Sequence, residues 1–134
     1  IRDIGVTGVQ TCALPISGAP DEAAAAQVGR TIATSPLVKT AVAGRDPNWG
    51  RIVAAAARAG VLFDPDRATL LVGPAQVYAL GTPHPEAEEE AWRHLAEETE
   101  VALDLDLGAG DAEATVWTCD LTSEYVRINA EYRT

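Results

Sequence analysis

The side chains able to do chemistry are few and scattered. Cys119 stands beside Asp120; a thiolate is the reactive form of cysteine, but a neighbouring carboxylate raises a thiol's pKa and blunts it, and a buried structural cysteine is the competing reading. His84 falls in a Pro-rich turn and His94 in a Glu-rich helix, where surface positions are expected. Spacing therefore assembles no nucleophile held by a base that a third group orients. Glu88, Glu89 and Glu90 put three carboxylates in a row, yet consecutive helix positions point in different directions, so a solvated face accounts for them. Asp104 and Asp106 share one face of a strand, and two carboxylates without a third ligand make a poor divalent-cation site; no metal site is expected. At the chain end, Asn129 carries an amide that both donates and accepts, and Thr134 a hydroxyl. Such groups suit a small polar ligand, although a terminal polar residue is ordinarily frayed and inert.

The elements that must position these groups centre on Ser35 to Gly60, SPLVKTAVAGRDPNWGRIVAAAARAG. The stretch reads as two helices joined by a hard corner. Pro36 fits the first turn of one helix and Gly44 the left-handed residue that ends it. Asp46 then reads as a helix N-cap and Pro47 as the first helical residue, with Ile52 to Ala59 continuing until Gly60. Arg30, Lys39, Arg45, Arg51, Arg58 and Arg67 make this region locally positive in a chain of net charge -10. Cations around a helix N-terminus can seat an anion. Docking of these charges onto the acidic remainder is the blander account, and an isolated basic cluster is a weak motif.

At 134 residues the chain has room for one domain with a modest core. Acidic groups number 20 against 10 Lys and Arg, which disfavours sequence-independent nucleic-acid binding because a phosphate backbone would be repelled. No apolar run approaches the ~20 residues needed to span a bilayer, so neither nucleic acid nor membrane is expected as a partner and a cytoplasmic location is the default. Two cysteines make neither a disulfide framework nor a metal quartet. Methionine is absent, which suggests a piece of a longer reading frame.

Ile1 to Ser17 stands apart. The run Val6-Thr-Gly-Val-Gln-Thr-Cys-Ala-Leu-Pro-Ile16 resembles the in-frame translation of a common sequencing-library adapter, and such scars are left out of fold reasoning. Residues 1–17 are therefore read as non-native, Cys12 with them, and 18–134 as the native domain. A signal-like reading fails because Arg2 and Asp3 cancel and Gly8, Gln10 and Pro15 break the apolar stretch.

Gly18 to Thr34 is expected to be a helix with Asp21 and Glu22 in its first turn and Val28 and Ile32 on its apolar face. Trp49 and Val53 share a face of the central region, with Ala55, Ala56 and Ala59 allowing close approach. Ala68 to Val72 and Gln76 to Leu80 read as paired strands around Gly73-Pro74. Pro85 to Thr99 reads as a helix with Ala91, Trp92 and Leu95 inward. Val101, Leu103, Leu105 and Leu107 alternate with Ala102, Asp104 and Asp106, the clearest strand pattern in the chain. Ala112 to Cys119 returns with Thr115, Trp117 and Cys119 on one side, and the two strands are expected to form an antiparallel hairpin. A last helix, capped by Asp120 or Thr122, carries Tyr125, Ile128 and Tyr132 on one face. The sum is an α+β fold, helices packed on a small, largely antiparallel sheet.

Two blocks carry a resemblance. Ser35-Pro-Leu-Val-Lys-Thr40 followed by Gly44-Arg-Asp-Pro-Asn-Trp-Gly-Arg-Ile52, and Cys119-Asp-Leu-Thr122 followed by Tyr125-Val-Arg-Ile-Asn-Ala-Glu-Tyr-Arg-Thr134, resemble the C-terminal part of the ornithine acetyltransferase (ArgJ) family, including its final residue. The resemblance covers Gly18 to Thr134, with no departure in either block. It implies the C-terminal domain of a self-cleaving fold whose β chain begins with a threonine nucleophile. That threonine takes acetyl from N-acetylornithine and passes it to glutamate in a ping-pong cycle; some members also accept acetyl-CoA as a substrate, and no cofactor is implied. It further implies an α chain from the same precursor in an α2β2 assembly, and contacts from Asn129 and Thr134 to the amino-acid substrate. No catalytic residue is expected in this chain, since the cleavage segment, the nucleophile and the oxyanion residues would all precede Gly18, so the chain alone is expected to be inactive. Asp46 to Ile52 has no role implied and reads as a packing corner.

Two rivals stand beside this reading. One is a non-catalytic, acidic α+β module that binds a metabolite or partner; the other is an aminopeptidase or amidase of the same self-cleaving fold, using water as acceptor.

Overall fold

The structure, a computed structural model, describes residues 11–119 and the backbone of 126–128. Its described elements are strand β1 (Thr11–Ala19), helices α1 (Glu22–Ala33), α2 (Pro36–Ala43) and α3 (Trp49–Ala57), strands β2 (Thr69–Val72), β3 (Ala75–Ala79) and β4 (Thr82–Pro83), helix α4 (Glu88–Glu97), and strands β5 (Glu100–Asp106), β6 (Ala112–Cys119) and β7 (Val126–Ile128). The strands form one sheet in the order β4-β3-β2-β5-β1-β6-β7. Only β1 and β5 pair in parallel, so the fold is α+β on a largely antiparallel sheet, as the periodicities indicate.

The alternation of β5 builds the core directly. Val101, Leu103, Leu105 and Leu107 are at most 1% exposed, and they share a face with Cys12, Leu14 and Ile16 of β1, Leu70 and Val72 of β2, and Ala114, Val116 and Thr118 of β6. The buried residues of α1, α3 and α4 join this one core. Helix α1 approaches β6 so closely that a Cβ on Gly29 would lie 2.6 Å from a Val116 methyl carbon, a contact only glycine permits.

The segment set aside as non-native takes a central place. Thr11 to Ala19 lies between β5 and β6, with Cys12 opposite Val101 on one side and Thr118 on the other. The expected β5–β6 hairpin is thereby corrected: the two strands are separated by β1. Pro15 sits within a strand paired on both edges, where a proline normally removes a ladder bond. Thr11 N–H donates to Thr99 O and Ser17 O accepts from Leu107 N–H, so odd-numbered residues of β1 turn toward β5. The β1–β5 register runs through Ala13 and resumes at Ile16, skipping the place where the Leu103 carbonyl faces the proline ring instead of a donor.

Other expectations shift locally. Helix α1 starts at Glu22, and Asp21 caps it by accepting from Ala24 N–H at 2.8 Å. Gly44 is not left-handed, with φ of -86°; Arg45 is, with φ of 58°, because the closing bonds Arg45 N–H to Val42 O and Asp46 N–H to Ala41 O place it at the left-handed position of a Schellman turn. The cap of α3 is Asn48, not Asp46: its side chain accepts from Arg51 N–H at 3.1 Å. Trp92 points outward at 49% exposure, while Ala91 and Leu95 are buried. Val126–Ile128, expected in a helix, pairs with β6 as β7; the rest of that expected helix, 120–125 and 129–134, lies outside the described residues.

Candidate functional site

The corner between α2 and α3 is the best-built feature among the described residues. Ser35, 4% exposed, caps α2 by accepting from Val38 N–H at 3.3 Å, which also satisfies its own buried hydroxyl oxygen. Asn48 caps α3 and its amide donates to the Asp46 carboxylate at 3.2 Å. Arg51 reaches back across the corner, its guanidinium donating to Leu37 O at 3.1 Å. Gln27 of α1 donates to Ala59 O just beyond the end of α3. One helix is thus tied to the next by side-chain to backbone bonds, and Ser35, Asn48 and Arg51 all serve the corner's geometry.

Trp49 then fixes this corner to the sheet. Its ring stacks on that of Tyr78 in β3, centroids 4.9 Å apart and planes 19° apart. The Tyr78 hydroxyl donates to Pro65 O at 2.9 Å. Burial first, then the charges of Asp66 and Asp64, push that phenol's pKa up, so it stays a donor.

Beneath α2 lies a small notch bordered by Cys12, Leu14, Ile32, Val38, Lys39 and Thr118, of about 10 Å³. That is room for about one water, and among the described residues Lys39 is the only charge on its rim. Burial pushes the Cys12 thiol up to about 12, which leaves it unreactive near neutrality. Cys119 is free and half-buried rather than fully buried. A wider, open depression is bordered by Asp64, Arg67, Asp106 and Asp111; one Asp106 oxygen accepts from Gly108 N–H at 2.9 Å and shapes the turn.

The histidines do not behave as loose surface groups. Both are half-buried, and His94 Nε2 accepts from Ala102 N–H at 3.0 Å where β2 has ended and left that edge of β5 without a partner strand. Its ring lies over Gly73, 2.4 Å from where a Cβ would stand. Glu88, Glu89 and Glu90 are exposed, as expected, with Glu89 in an ion pair to Arg93 at 3.0 Å. Among the described residues no group of three or more His, Cys, Asp or Glu is placed to hold a metal ion. Asp104 and Asp106 lie on the outer face of β5, away from the core.

Asn129 and Thr134 fall outside the described residues, so their expected substrate contacts have no geometry here. Strand β7, which leads to them, ends with Ile128 opposite Val116. Periodicity did not announce what His94 and the Trp49–Tyr78 stack do, because both join residues of separate elements.

Known proteins agree on what this chain is similar to. The profile of the ArgJ family matches residues 5–134. "Arginine biosynthesis bifunctional protein ArgJ" of Parasynechococcus marenigrum is 52% identical over 126 residues, covering 92% of this chain and 31% of that protein. The protein of the same name from Brucella suis is 47% identical over 118 residues, covering 88% of this chain and 29% of its own length. The crystal structure of the Bacillus halodurans protein of that name superposes with a TM-score of 0.81 at 33% identity, covering 87% of this chain and 55% of the other. This chain thus spans about a third of the length of the curated relatives it matches. On the strength of that nearly end-to-end match, the chain belongs to the ArgJ family.

Proposed function

We propose that this chain is the C-terminal domain of an ornithine acetyltransferase that moves acetyl from N-acetylornithine to glutamate in arginine biosynthesis. The carrying observation is the family match over residues 5–134, joined to 52% identity with a relative named for arginine biosynthesis. In this reading the preceding polypeptide supplies an N-terminal threonine, whose free amino group activates its own hydroxyl for acyl transfer. Oxyanion donors there stabilise the tetrahedral intermediate. Asn129 and Thr134 contribute polar contacts to the amino-acid substrate. Acetyl-CoA serves as an alternative acetyl donor in bifunctional members, and no cofactor takes part. The domain works with the α chain of the same precursor in an α2β2 assembly, in the cytoplasm; no described helix is long and apolar enough to cross a membrane.

The same reading takes residues 1–17 as an adapter translation joined in frame to the native domain at Gly18, filling a strand position within the family match. Long-read sequencing across the Ser17–Gly18 junction tests this: a frame running upstream into a self-cleavage threonine supports it. A native gene that encodes Val6 to Ile16 overturns it.

The activity test uses the purified chain, alone and mixed with the part of the Parasynechococcus marenigrum protein outside the matched region. Acetyl transfer from N-acetylornithine to glutamate is expected only in the mixture, and loss of that transfer with Asn129→Ala or Thr134→Ala. Transfer by the chain alone would sink the inactivity claim. Peptide hydrolysis in place of acetyl transfer would favour an amidase.

A further inference from the structure

The sheet has a second face that the described helices leave open. Their buried side chains belong to the core on the opposite side. Rows of outward residues cross β2, β5, β1 and β6: Leu71, Asp104, Pro15 and Thr115 in one, Ala102, Ala13 and Trp117 in the next. Ala13 alone among these is fully buried; Leu71, Ala102, Thr115 and Trp117 are half-buried, the exposure of small and apolar side chains on an uncovered sheet.

The charges on β1 to β6 have one sign, with Arg67 at the rim beside Asp106. Glu100, Asp104, Asp106 and Glu113 lie on this face, and β1 to β6 contain no Lys or Arg. Among the described strands the single base is Arg127 in β7, at the far edge opposite Trp117. Asp104 stands in the middle of the sheet, with Leu71 beside it and like charges in Asp106 and Glu113. Two copies of this chain stacked on these faces would oppose carboxylate to carboxylate, which disfavours a homodimer.

We propose that this open sheet face is where the rest of an ArgJ family chain docks, through a surface that lays apolar side chains over Leu71 and Trp117 and brings a Lys or Arg to Asp104. The occupant follows from length: the chain covers only 31% of its Parasynechococcus marenigrum relative and 55% of the Bacillus halodurans chain; the four carboxylates then require a basic docking surface on it. The proposal rests on the functional reading above, in that the remaining two-thirds of the family chain is the partner.

Binding is measured by isothermal titration and sedimentation velocity, using the whole chain and the part of the Parasynechococcus marenigrum protein outside the matched region. Asp104→Lys is expected to weaken the complex by at least about tenfold, while Glu89→Lys on the helical side leaves it unchanged. Thermal melts of both variants confirm that each is folded. Cys119, which alternates onto the open face opposite Thr11, is expected to lose reactivity toward an alkylating reagent in the complex. Absence of a complex, equal affinity for Asp104→Lys, an unprotected Cys119, or self-association in place of the heteromeric complex each overturns the proposal. An active mixture insensitive to Asp104→Lys keeps the functional reading and removes this face; a complex formed through this face without acetyl transfer does the reverse.

Discussion

The rings of Trp49 and Tyr78 stack 4.9 Å apart, and this contact joins the α2–α3 corner to the third strand across a sequence separation that no local pattern spans. Removing either ring should loosen both elements. Trp49→Ala is expected to cost about 2–3 kcal/mol, below the full Trp→Ala range because Trp49 is only half-buried. A double-mutant cycle with Tyr78→Leu should show a coupling of about 1 kcal/mol. Urea unfolding of the four proteins checks both figures, and additive losses would show that the stack contributes nothing beyond burial.

His94 holds the end of the sheet. Its Nε2 accepts from Ala102 N–H at 3.0 Å, so His94→Ala leaves a strand amide without its protein partner and should cost about 1–2 kcal/mol. Hydrogen exchange provides the local readout. The Ala102 amide should exchange faster in the variant while the Leu105 amide changes only with global stability.

Pro15 occupies a strand with neighbours on both edges, and the missing donor falls on the β5 side. Pro15→Thr restores an N–H toward Leu103 and places a β-branched residue on a half-buried position. A net gain of about 1 kcal/mol is expected, somewhat offset by the greater freedom of the unfolded chain once proline is gone. A higher urea midpoint at unchanged slope is the supporting result; a lower midpoint would show that the skipped rung carries no deficit.

Asp104 gives a pH dependence with a definite sign. Desolvation first, then the charges of Asp106 and Glu113, hold its carboxyl above the usual carboxylate range. The folded chain therefore keeps this proton to higher pH than the unfolded chain, and the associated stability is complete below the ordinary carboxylate value and lost as pH rises through the folded-state value. Asp104→Asn should match the parent near about pH 4 and exceed it near about pH 7. Denaturation midpoints across that interval decide it; a constant gap between the two proteins would rule the effect out.

Much of the architecture was legible from residue order. The alternation Val101, Leu103, Leu105, Leu107 names a half-buried strand, and Pro36 in the first turn of α2 declares a helix start, because these signals depend on neighbours a few residues apart. The two signature blocks likewise pointed to the family that the comparison bears out. Where an element ends proved less legible: the left-handed residue is Arg45 rather than Gly44, since the closing hydrogen bonds of the turn decide the position and glycine merely tolerates it.

What residue order determined, then, was local: helices, strand periodicity, the acidic balance and the family signature. Tertiary structure alone decided that Thr11–Ala19 enters between β5 and β6, that Trp92 faces water, that His94 closes a strand end and that the described helices leave one face of the sheet open. Strand pairing is a non-local choice, made by whichever segments bury the most apolar surface together. Cys12, Leu14 and Ile16 alternate well enough to be chosen for the centre of the sheet even with a proline among them.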